Sequence, residues 1–153
     1  IYILRLNARQ FIVLLHNGIV VWLVMFFLGN GFTWLCLIAI PNLILIQLNI
    51  TLLASVITIF CTRYQDMTQV VSVATQVTFF LTPILWQVDM LKNKMFIADM
   101  NPVYHWIELI RAPLLGSLPS VSNYLWSCGT IVILFLMAIY CMGRCRSRIA
   151  MWL

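Results

Sequence analysis

Apolar residues fall into four long runs along this chain, separated by turns, prolines and charges. The first, FIVLLHNGIVVWLVMFFL, reads back by about a turn to give a span over residues 8–28. The second covers residues 32–60, the third 68–86 and the fourth 124–142. A bilayer core of ~30 Å takes about 20 helical residues, so three of the runs fit directly. The second would be roughly 43 Å long as one helix. It must tilt, protrude or bend, and Pro41 is the natural break. The pattern predicts an all-α fold, a polytopic bundle of four transmembrane helices forming one membrane domain over residues 1–153.

Composition agrees with the pattern. Hydrophobic residues make up 63% of the chain and charged residues 8%, against roughly a quarter charged in soluble domains. Membrane lipids are therefore the surroundings of most of this surface. The net charge of +5 does not point to nucleic acid, because the Lys and Arg residues lie almost entirely between or outside the apolar runs. There they set topology. Arg5, Arg9, Arg63, Arg144, Arg146 and Arg148 share one side if all four runs cross, against Lys92, Lys94 and Arg111 on the other. The positive-inside rule then places both ends of the chain in the cytoplasm and the long segment 87–123 outside. The five cysteines form no C-x-x-C pair and read as small hydrophobes. The opening IYILRL has neither an initiating Met nor the charged start of a signal peptide, so we expect the C-terminal part of a longer protein.

The outer segment contains NPVYHWIELIRAPLLG. Asn101 and Pro102 are the favoured N-cap and first-residue pair of a helix, and Ala112-Pro113 is expected to end it. Val103, Trp106, Ile107 and Ile110 repeat as one apolar face, with Tyr104, His105, Glu108 and Arg111 opposite. His105, Glu108 and Arg111 are three apart in turn, so they can pair along the helix. With the upstream DMLKNKMFIADM this makes a re-entrant or interfacial hairpin over about 89–118. Two readings stand: a helix lying flat with its polar face solvated, or a mobile element at the exit of a transport route. An acid–base role for His105 and Glu108 lacks a nucleophile and a third orienting group.

The third run has a polar side. At 100° per residue, Gln69, Ser72, Gln76, Phe79 and Pro83 fall in one half with four threonines, while Val70, Val73, Val77 and Phe80 fall in the other. Amides are costly against lipid, so the polar half faces protein or a watery path. Ordinary helix packing accounts for it. So does a sugar path, in which amides bond hydroxyls and Phe79 covers a ring face. No Asp, Glu, Lys or Arg lies deep in any span, which argues against a proton-coupled carrier. His16 and Asn17 in the first run are weaker candidates of the same kind.

CTRYQDMTQVVSVATQVTFFLTPILW, then NPVYHWIELIRAPLLG, then a last span closing in RCRSRIAMWL, together resemble the membrane subunits of bacterial polysaccharide exporters. These are type-2 ABC transporter permeases for O-antigen, capsule or teichoic acid. The resemblance implies six spans, of which this chain holds the last four. It implies an external gate that includes Tyr104, His105, Trp106, Glu108 and Arg111. It also implies a second ATPase contact in the loop carrying Arg63 and Asp66. The working transporter would pair two permeases, a homodimer, with two separate P-loop ATPase subunits, and its substrate would be a lipid-linked glycan. This chain has no G-x-x-x-x-G-K-[ST], so ATP and Mg would bind in the partner and no cofactor is expected here. The location implied is the bacterial inner membrane. Two other classes remain open: a membrane enzyme acting on lipid-linked sugars, and a non-transporting envelope anchor.

Overall fold

The computed structural model describes residues 2–27, 34–64, 66–83 and 100–152. Within them the chain is helical, with no strand. Helix α1 covers Tyr2–Phe27. A 3-10 turn, Trp34–Ile38, runs into α2, Ala39–Arg63. Helix α3 is Met67–Leu81, α4 is Pro102–Leu114 and α5 is Val121–Trp152.

In the long second run the helix type changes near the expected break. Its 3-10 turn gives way to α-helix two residues before Pro41. Pro41 thus sits in the first α-helical turn, where its missing N–H costs nothing because that donor has no intrahelical partner.

Helices α2 and α5 make the most extensive pairing, and α4 packs against both. The inner face of α2 is a seam of alternating three- and four-residue steps through Ala39, Asn42, Ile46, Asn49, Leu53 and Val56. That spacing holds one stripe toward a neighbouring helix. Small Ser127 and Ala138 on the facing side of α5 are buried and admit close approach of the backbones. Between the two helices Asn49 is fully buried. Its amide donates to Ser127 Oγ at 2.9 Å, and its Oδ1 accepts from Thr130 Oγ1 at 2.8 Å. Such interhelical bonds stabilise a membrane bundle by about 0.6 kcal/mol on average. Ile46, Trp106 and Leu109 form the apolar core, with Leu45, Leu53, Val103, Ile110 and Tyr124 against it.

Trp34–Arg63 and Val121–Arg144 are long and apolar enough to cross a membrane. Three sequence boundaries move. Helix α1 begins at Tyr2, not residue 8, and α5 runs through Trp152, well past residue 142. Helix α3 stops at Leu81 rather than Trp86; its 15 residues rise only about 22 Å. Thr82 and Pro83 leave the helical path, as the residue before a proline tends to do. The first arm of the expected external hairpin, with Asp89, Lys92, Lys94 and Asp99, lies outside the described residues.

Candidate functional site

Helix α4 starts as the sequence predicts. The Asn101 side chain accepts from the Val103 N–H at 3.0 Å, and Pro102 follows it at the helix start. The same amide donates to Thr82 Oγ1 at 2.9 Å, which ties the helix entry to the end of α3.

The other end differs from expectation. Helix α4 does not stop at Ala112 but continues through Pro113 to Leu114. A proline inside a helix leaves the carbonyl four residues earlier without its donor. Here that carbonyl belongs to Leu109, and Asn42 of α2 donates to it at 2.7 Å. Both groups are buried: Asn42 is 3% exposed and Leu109 0%. Gly116 then closes the helix with φ 81°, a left-handed conformation that suits glycine. Gly116 N–H bonds to Pro113 O and Ser117 N–H to Ala112 O, the paired closure of a Schellman motif.

The buried face of α4 is also turned from the expected one. His105, Trp106, Leu109, Ala112 and Pro113 point inward. Val103, Ile107 and Ile110 of the predicted apolar face are only half-buried. A solvated polar face therefore fails at His105, which is 3% exposed. Its burial is made tolerable by partners on α5. Nδ1 lies 2.8 Å from Asn123 Oδ1, so that nitrogen carries the proton and donates. The ring stacks on Trp126 at 5.2 Å with planes 9° apart. The neighbouring Trp106 is buried too, and its indole N–H has no acceptor among the described residues.

Tyr104, Glu108 and Arg111 are half-buried at the edge of α4. The Tyr104 ring meets His105 edge-on at 5.5 Å. Among the described residues no ion pair joins Glu108 to Arg111, although their spacing permits one. So α4 gathers all five candidate gate residues, but two of them, His105 and Trp106, belong to its packed side.

The remaining candidates lie elsewhere. Gln69, Ser72, Gln76 and Phe79 of α3 are exposed, and Pro83 is buried. Val70, Val73, Val77 and Phe80 on the opposite half are exposed as well, so neither side of α3 is covered among the described residues. Arg63 and Asp66 are both exposed in the turn between α2 and α3, where the Arg63 guanidinium lies 5.1 Å over the Tyr64 ring. Sequence reading missed Asn42, Asn49 and Asn123, and gave Thr82 only as part of the polar half of the third run. Asn42 and Asn49, seven apart in a largely apolar run, carried a signal: two amides on one stripe of a membrane helix call for partners.

These features define a membrane-embedded helical protein whose buried polar groups are paired between helices. The chain belongs to the ABC-2 type transporter family, which matches residues 7–115. That match covers α1 to the end of α4. No curated protein and no solved structure matches. The chain is thus a permease, the membrane subunit of an ABC-type exporter, a class that normally works with an ATPase subunit.

Proposed function

We propose that this permease moves a polysaccharide, carried on a lipid, across the bacterial inner membrane, driven by a separate P-loop ATPase. Two permease copies flank the path, the chain crosses the membrane four times, and both of its ends are cytoplasmic. The observation that carries the reading is the placement of α4. Hydrogen bonds tie this short helix to its neighbours through Cys36 of the 3-10 turn, Asn42 on α2, Thr82 at the end of α3 and Asn123 on α5. An element so linked responds to relative movement of the helices around it, as an exit gate must. The motif resemblance over the same helix supports the substrate class, and family membership supports the ATPase partner.

In this mechanism the partner's ATP cycle acts on the α2–α3 turn through Arg63 and Asp66. The polar half of α3, with Gln69, Ser72, Gln76 and Phe79, lines the path, and the buried Pro83 just beyond the helix shapes its end. Tyr104, Glu108 and Arg111 face the exit, while His105 and Trp106 anchor the gate helix. The test is to co-express the permease with its ATPase in a host lacking glycan export and to measure glycan at the cell surface. Export is expected only with both subunits and an intact ATP site. Surface glycan that is independent of the ATPase, or absent with both subunits present, refutes the proposal.

A further inference from the structure

On the side of α4 away from the apolar core lies a cleft of ≈ 300 Å³. Its walls come from α4 (Tyr104, His105 and Glu108) and from the start of α5 (Ser120, Ser122 and Asn123). No Lys or Arg is among the described lining residues, and Arg111 stays outside it. Glu108 is half-buried at the wall and pairs with no other described group.

That set has a specific chemistry. A carboxylate only accepts, and its two oxygens can take two donors at once. Serine hydroxyls both donate and accept, and the Asn123 amide, whose Oδ1 already accepts from His105, has its Nδ2 left to donate. A vicinal diol offers two hydroxyls that can donate side by side to Glu108, while its oxygens accept from the serines. A phosphate or carboxylate ligand meets instead the Glu108 carboxylate and, among the described lining residues, no cation. The volume lies at the lower end of the range for small-ligand sites, the size of one small unit rather than a chain.

We infer that this cleft is a binding site for one neutral, polyhydroxylated unit, a sugar residue held through a vicinal diol by Glu108 and the serines at the start of α5. The assignment deepens the export reading and rests on it for the setting in which the sugar arrives. It makes the gate helix a contact for the neutral part of the glycan and not for its phosphate linkage.

The test is equilibrium binding by calorimetry to the full chain in lipid nanodiscs. The probes are N-acetylglucosamine and lactose, with glycerol 3-phosphate and choline as charged comparisons. The neutral sugars are expected to bind and the anion not to. Glu108→Gln keeps the shape of the wall, and Ser122→Phe fills the cleft from an exposed position in the first turn of α5. Each is expected to weaken sugar binding about tenfold. Absent sugar binding overturns the assignment, as do equal or tighter binding of glycerol phosphate or choline and unchanged binding in both variants. The export assay separates the two proposals. Sugar binding without ATPase-dependent export leaves the cleft and removes the exporter; export with no sugar bound at the cleft does the reverse.

Discussion

Asn42 donates to the carbonyl of Leu109 at 2.7 Å, the acceptor that Pro113 leaves without its helical donor. The side chain of one helix thus completes the backbone of another. In hydrocarbon an unpaired carbonyl has no water to turn to, so this bond bears directly on whether α4 holds its place.

Asn42→Leu is therefore expected to destabilise the bundle by about 1–3 kcal/mol, the cost of leaving a buried acceptor unsatisfied. Pro113→Ala restores an N–H aimed at Leu109, so the double variant should recover most of that loss. Reversible unfolding in micelles, read as a double-mutant cycle, measures the coupling. Equal losses with and without Pro113 would show that Asn42 acts by packing alone.

The α2–α5 seam should respond more gently. Asn49→Leu removes the bonds to Ser127 and Thr130, and a loss of about 0.6–1.7 kcal/mol is expected. Thr130→Val should lose less and add little on top of Asn49→Leu, because the two share one interaction. The same micelle unfolding assay reads both. Additive losses would mean that Asn49 and Thr130 are not coupled.

His105 separates two contributions. His105→Phe keeps a flat ring against Trp126 but strands Asn123 Oδ1, so a loss of about 1–3 kcal/mol is expected. Asn123→Leu added to it should cost little more, since the stranded acceptor is gone. A fully additive double variant argues against the His105–Asn123 bond.

Trp106→Phe is expected to be nearly neutral. It keeps an aromatic ring in the core and removes an indole donor that has no acceptor among the described residues. A loss near that of His105→Phe would show that the indole N–H has a partner.

Charge reversal at Glu108 or Arg111 should impair export if α4 is the exit gate. The two are not paired in this conformation, so rescue by swapping both charges would mean that they meet in another state of the transport cycle. Normal export with both single reversals would remove them from the gate. Surface glycan is the readout.

The all-helical character, two long apolar helices among the four expected spans, and the Asn101–Pro102 start of α4 were legible in the sequence. Each follows from local chemistry: hydrophobic run length, proline's missing donor, or a side chain capping its own helix. The polar half of α3 was legible as a pattern, but both halves of that helix are exposed among the described residues. Its role depends on neighbours that composition does not name.

Local rules failed where a distant group completed a local structure. Ala112-Pro113 reads as a helix end, yet α4 runs on because Asn42, 67 positions from Leu109, supplies the missing donor. Tyr104, His105, Glu108 and Arg111 read as one polar face, solvated or at an exit, yet His105 is buried because Asn123 and Trp126 of α5 receive it. The sequence by itself determined that this is a helical membrane protein, and where helices could begin. Only tertiary structure decided which face of α4 is inside and how far it extends. In a bilayer, a buried polar group is stable only with a partner, and the partners here lie on other helices.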